Sequence, residues 1–108
     1  MAIKDELQQL ANIMESSPEP ISTLNAVYQF NVKDDCAYQV SFQEGVVEVA
    51  EGVVVPPDCT LILNENNLRK LLNDELNATM AFMTGSLKVE GKMGLALKLQ
   101  EILKKYTR

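Results

Sequence analysis

Two hydrophobic periods alternate along the chain, and the switches between them mark out its elements. Ile3, Leu7, Leu10, Ala11 and Met14 recur at spacings of three and four, which predicts a helix over about Ile3 to Glu15. Ser16-Ser17-Pro18-Glu19-Pro20 stops it, and Ile21 to Asn25 is a connector without a readable period. From Ala26 the period falls to two. Ala26, Tyr28, Phe30 and Val32 face one way, and Gln29 and Asn31 the other. Asp34-Asp35 supplies a turn, and Tyr38, Val40 and Phe42 then alternate with Gln39, Ser41 and Gln43. After a second turn at Glu44-Gly45, Val47 and Val49 continue with Glu48 outward. This pattern predicts an antiparallel meander whose apolar face needs a cover and whose polar face meets solvent. The helices are the only candidates for the cover.

Val53-Val54-Val55-Pro56-Pro57-Asp58 breaks the alternation. Its two prolines donate no ladder bonds, so a sheet edge or a crossover is expected there. Cys59 to Leu63 reads as a fourth strand. Asn64 is placed to cap a following helix that carries Leu68, Leu71, Leu72 and Leu76 on one face.

The richest stretch is Asn77 to Leu103: a short helix, Gly85, a strand in which Leu87 and Val89 alternate with Lys88 and Glu90, then Gly91 and a closing helix from about Lys92 to Tyr106. On a helical wheel the closing helix carries an apolar arc about 220° wide, where about 100° suffices to cover one core. Such an arc buries itself against more than one thing. Either the helix is wedged between the sheet and a neighbour, or forms a dimer contact, or one flank faces the sheet and the other a removable apolar ligand. Gln100 is the one polar residue inside the arc. It is expected to face the interior and to bond either a backbone group or the polar end of a ligand, since an unpartnered buried amide costs about 1–3 kcal/mol. This helix follows Gly91 and contains Gly94, so it is also the expected movable wall of any enclosed space.

The order Met80-Ala81-Phe82-Met83-Thr84-Gly85, Leu87-Lys88-Val89-Glu90-Gly91, Met93-Gly94-Leu95-Ala96-Leu97-Lys98-Leu99 resembles, ungapped, the C-terminal half of the sterol carrier protein-2 domain family. That family's pattern is Met-Ala-Phe-Met-x-Gly, a Lys-Leu-Lys-Ile/Val-x-Gly-like strand, and an x-Met-x-x-Ala-x-Lys-Leu helix. The N-terminal half resembles it more loosely, and Ala78 stands where many members carry Pro, a difference without structural weight. The resemblance implies an α+β fold: a five-stranded, mainly antiparallel sheet covered on one face by helices and enclosing an apolar tunnel. It implies a single lipid-binding domain over residues 1–108. The ligand would be a fatty acid, fatty acyl-CoA, sterol or similar molecule. Tunnel-lining candidates carried over in this way are Met80, Phe82, Met83, Leu87, Val89, Met93, Leu95, Leu97, Leu99 and Leu103, with Gln100 beside them. Spacing alone reads Met80, Met83 and Met93 as core filling; the resemblance reads them as an adaptable lining.

Composition bounds the rest. With 108 residues, 46% of them hydrophobic, the chain has material for one real core. A net charge of −5 disfavours nucleic acid and anionic membranes unless a local basic patch overrides it. Lys92, Lys98, Lys104, Lys105 and Arg108 form such a patch, although cations also suit a helix C-terminus. Histidine is absent, which removes His-dependent triads and His-ligated zinc. Cys36 and Cys59 lack CxxC spacing and read as buried thiols. Asp34-Asp35 reads as a turn rather than an acid–base or metal pair; Asp74 and Glu75 read as a solvated helix end. Ser16, Ser17 and Ser86 have no base, and no phosphate-binding GxxxxGK loop is present. The expectation is therefore a non-catalytic carrier with no metal and no cofactor. It is expected to be cytoplasmic, a monomer or homodimer, free of nucleic acid, and at most in transient contact with membranes. The competing expectation is an interaction or dimerisation module, or an accessory subunit of a lipid-metabolising enzyme, with a closed cavity.

Overall fold

The computed structural model describes residues 3–33 and 35–106. Its centre is the sheet that the period-two segments build: β1 (Ala26–Val32), β2 (Ala37–Gln43), β3 (Val46–Glu51), β4 (Cys59–Leu63) and β5 (Lys88–Gly91), in the order β3-β2-β1-β4-β5. Only β1 and β4 run parallel; the other neighbours are antiparallel. Glu44 and Gly45 both adopt positive φ, the two-residue reverse turn that matches strand twist, and Gln43 pairs with Val46 across it. The alternation is realised residue by residue. Tyr28, Phe30, Val32, Tyr38, Val40, Phe42 and Val47 are buried, and Tyr28 packs edge-on against Phe42 with ring centroids 5.6 Å apart.

Helices cover this face. They are α1 (Ile3–Ser16), α2 (Glu65–Leu72), α3 (Ala78–Thr84) and α4 (Met93–Lys104). The stripe Ile3, Leu7, Ala11 and Met14 packs α1 down, mainly over β3. Asn64 caps α2 by accepting the Asn67 N–H at 2.7 Å, as its position predicts. Asn77 does the same for α3 through the Met80 N–H at 3.1 Å, and Gly85 ends α3 in the left-handed conformation. Arg69 of α2 pairs with Glu6 of α1 and with Glu65. A 3-10 turn, Glu19–Ile21, spans the stop and the start of the unreadable connector, and the connector buries Ile21 and Leu24. Asp34 lies outside the described residues; Asp35 accepts the Cys36 N–H at 2.8 Å and the Tyr38 hydroxyl at 3.4 Å.

One expectation needs correction. The polar face of the sheet is left to solvent only in part: Gln43 and Glu48 are exposed, but Gln29, Gln39 and Thr60 are buried. The Val53–Asp58 segment is the crossover between β3 and β4, and it straps the outer face. Gln39, on that face, is only 1% exposed. Its Oε1 accepts the N–H groups of Val54 and Val55 at 3.1 Å each, and its Nε2 donates to Val55 O at 2.7 Å and Gln29 Oε1 at 2.9 Å. An alternating strand shows which side is polar but not whether another segment lies on it, and an amide satisfies a bare strap as well as water does. Asp58 closes the crossover: its N–H donates to Val27 O and its carboxylate accepts the Val27 N–H.

Candidate functional site

The site follows from how α4 is held. Gly91, at the end of β5, has φ +89° and lies so close to the strap that a Cβ would come within 2.6 Å of Asp58 O. The same carbonyl accepts the Lys92 N–H at 3.2 Å and so sets the start of α4. Beneath α4, the fully buried Tyr28 donates its hydroxyl to Leu95 O at 2.7 Å. Burial, reinforced by Cys59 and Asp58 nearby, holds that hydroxyl well above its ordinary range, so it stays protonated and donates. Cys59 lies buried beside it. Burial raises its thiol too, against a hydrogen bond from the Ala96 backbone, so it is no thiolate nucleophile. At the far end the Tyr106 hydroxyl donates to Ser17 O at 2.7 Å.

Held in this way, α4 presents apolar side chains to two spaces. An inner apolar cavity of about 20 Å³ lies between α1, the sheet and α4. Its walls are Leu7, Leu10, Ala11 and Met14 of α1, Phe30, Val40, Phe42 and Val47 of the sheet, Leu72 of α2, and Leu99 and Leu103 of α4. An apolar groove of about 240 Å³ opens on the other flank, between α3, β5 and the first turns of α4. Ala78, Thr79, Phe82, Leu87, Val89, Met93, Ala96 and Leu97 line it.

The candidate lining residues therefore separate. Phe82, Leu87, Val89, Met93 and Leu97 meet in the groove, and Leu99 and Leu103 in the inner cavity. Leu95 is half-buried in neither lining. Gln100 accepts the Ala78 N–H at 3.0 Å with its Oε1, the backbone alternative of the two foreseen for it, and so joins α4 to the first turn of α3. Met80 and Met83 stand outside both spaces at 57% and 74% exposure. α3 buries only Ala78 and Ala81 and turns its large side chains outward. The contribution of α1 to the inner cavity was present as the Leu7–Leu10–Ala11–Met14 stripe, but a stripe does not tell core from lining. Among the described residues no group of His, Cys, Asp and Glu is arranged to hold a metal, and no helix is long and apolar enough to cross a membrane.

The sheet order and the helices on one face define a small α+β fold with apolar spaces on either flank of α4, and comparison with known proteins gives the family. Residues 5–104 match the SCP-2 sterol transfer family, and the chain belongs to it. Sterol carrier protein 2 of Rattus norvegicus is 31% identical over 93 residues, covering 82% of this chain and 17% of its own length. The chain thus spans less than a fifth of that relative. Among solved structures, the sterol carrier protein domain 2 of Helicoverpa armigera is 25% identical with a TM-score of 0.79, covering 94% of this chain and 85% of its own. The apo form of sterol carrier protein 2 from Yarrowia lipolytica is 27% identical with a TM-score of 0.75, covering 98% and 90%.

Proposed function

We propose that residues 1–108 act as one lipid-binding domain that carries a long-chain apolar ligand, a fatty acid, fatty acyl thioester or sterol, without transforming it. The observation that carries this reading is the groove: about 240 Å³, walled almost wholly by carbon, and bounded by the segment whose pattern matches the family. The names of its relatives, sterol carrier proteins, support the same class of ligand. Ligand sites commonly enclose roughly 300–1,000 Å³. The groove falls below that range, and the inner cavity holds about one water-sized sphere. Uptake of a whole acyl chain therefore requires a wall to yield. Five of the candidate residues, Phe82, Leu87, Val89, Met93 and Leu97, would contact the chain in the groove; Leu99 and Leu103 would meet it only as it extends past α4. The absence of histidine and the raised thiol of Cys59 favour a carrier over an enzyme. A cytoplasmic setting goes with this reading.

The sequence favours α4 as the yielding wall, but the anchors at Asp58, Tyr28 and Ser17 favour α3 instead. The test is titration of the purified chain with a fluorescent long-chain fatty acid, followed by hydrogen exchange. Uptake should weaken by about tenfold or more in Leu97→Asp, because a carboxylate in an apolar site costs at least the 1.4 kcal/mol this represents. Protection should rise most in residues 78–87 and the first turns of α4. No uptake of fatty acid, acyl thioester or sterol by the unaltered chain would refute the carrier reading.

A further inference from the structure

A carrier's groove does not account for Met80 and Met83. Both point away from groove and core, and together with Phe82 they make α3 an apolar surface. Between Glu75 and Lys88 there is no charged residue, in a chain that is 23% charged. The segment that follows is the basic part of the molecule. Lys88, Lys92, Lys98, Lys104 and Lys105 stand against Glu90 and Glu101, a net +3 from five minus two, while the whole chain carries −5. The other large exposed apolar group, Val53 and Val54 at 65% and 66%, has the opposite setting, with Glu48, Glu51 and Asp58 around it in sequence. Charge thus distinguishes two apolar surfaces of the same chain.

We propose that α3, with the adjoining turn of α4, is a docking face for an anionic lipid bilayer. Met80, Phe82 and Met83 enter the boundary between headgroups and acyl chains, and Lys88 and Lys92 meet the anionic headgroups. Three features fit a bilayer. Interfacial segments pair apolar side chains with flanking lysines, and Lys88 and Lys92 follow α3 with Glu90 as the one acid between them. The α3 backbone is hydrogen-bonded within the helix and capped at both ends by Asn77 and Gly85, whereas the Val53–Val54 strap has no helical bonding of its own. The groove borders the same face, since Phe82 lies in it, so a lipid leaving the bilayer enters without crossing water. This last point rests on the carrier reading; the docking itself does not.

The experiment is flotation of the full chain with phosphatidylcholine vesicles and with vesicles that also contain phosphatidylserine. The unaltered chain should float far more with the anionic vesicles, and less as salt is raised. Met80→Ser with Met83→Ser should lower binding to anionic vesicles. Lys88→Gln with Lys92→Gln should weaken it by about fivefold per lysine. Val53→Ser with Val54→Ser should change nothing. The lysine variant should still take up free fatty acid in vesicle-free solution, because neither lysine lines the groove. An unaltered chain that floats with anionic vesicles but takes up no fatty acid would overturn the carrier reading and leave the docking face standing. Equal binding to both vesicle types, no binding, or a valine variant as impaired as the methionine variant would overturn the docking face. So would the methionine variant abolishing self-association of a chain that ignores vesicles, which would make α3 a protein interface.

Discussion

Gly91→Ala should be among the most damaging conservative changes in this chain, and Gly52→Ala shows why. Both glycines have nearly the same φ, +89° and +91°. An alanine in that region costs about 1–2 kcal/mol from its own backbone. At Gly52 nothing lies within 4 Å of the added Cβ, so the cost ends there. At Gly91 the Cβ would sit 2.6 Å from Asp58 O, with Asp58 C at 3.4 Å and Cys59 Cα at 3.5 Å, and these are backbone atoms that no rotamer change relieves. Relief requires the strap and β5 to part, which weakens the Lys92–Asp58 bond and the Asp58–Val27 pair. Two or three hydrogen bonds at about 1 kcal/mol each bring the expected loss to about 3–5 kcal/mol. A domain of this size has about 5–15 kcal/mol in all. Urea unfolding at neutral pH measures both variants against the parent. With a slope of about 1–3 kcal/mol per molar urea, the Gly91→Ala midpoint should fall by well over 1 M, and the Gly52→Ala midpoint by about a third as much. Equal losses would show that the contact with Asp58 is soft and that left-handed strain explains both. Because Gly91 sets the start of α4, a folded Gly91→Ala protein should also show faster hydrogen exchange in the first turns of α4.

Two further substitutions probe the anchors of α4. Tyr28→Phe removes the bond to Leu95 O and should cost about 1 kcal/mol at neutral pH by urea unfolding. Its effect should shrink above pH 10. A tyrosine in the unfolded chain ionises near pH 10, whereas burial keeps Tyr28 protonated beyond that, so the stabilisation is complete below about pH 10 and is lost as pH rises further. A Tyr28→Phe loss that stays constant to pH 11 would contradict the assignment. Gln100→Leu leaves the Ala78 N–H without its acceptor and should cost about 1–2 kcal/mol, with increased exchange at the start of α3. Gln100→Glu should instead be neutral or stabilising, by up to about 1 kcal/mol, because a carboxylate suits a helix N-terminus; equal losses in both variants would remove the link between the helices.

How much of this was legible in the chain depended on whether a residue's partner is close in sequence. The strands and the Asn64 cap were readable because alternation and capping act over a few residues: Tyr28, Phe30, Val40 and Phe42 are buried where a period of two puts them. The parallel pairing of β1 with β4 was not readable, because nothing local in Cys59–Leu63 says which strand it joins. The Gln39 clamp was equally hidden, since Gln39 in isolation is one more polar residue on an outward face. For the site, the wide arc of α4 divides: Leu99 and Leu103 are buried as the arc predicts, whereas Met93 and Leu97 stay exposed along the open groove. The wheel could not show that Met80 and Met83 lie outside the groove, because the facing of a seven-residue helix is set by what it docks on. There it is Ala78 and Ala81 that dock.

That inversion in α3 links the carrier reading to the question of which wall moves. A helix is held in place by the apolar surface it buries, and α3 buries two alanines, little more than two methyl groups, or about 1.5 kcal/mol at about 0.8 kcal/mol for each carbon. The Asn77 cap and the Gln100 bond add about 1 kcal/mol apiece. Full burial of Phe82, Met80 and Met83 would be worth about 1.5–3 kcal/mol each, and they remain 44%, 57% and 74% exposed. About half of that stabilisation is thus unrealised in α3. α4 is the reverse: Ala96, Leu99, Ile102 and Leu103 are buried and hydrogen bonds anchor both ends. Any apolar body that reaches this face, an acyl chain or a bilayer, gains most by displacing α3 and covering its large side chains. A protein that kept α3 closed by turning Phe82 and the methionines inward would gain stability and lose the opening beside β5.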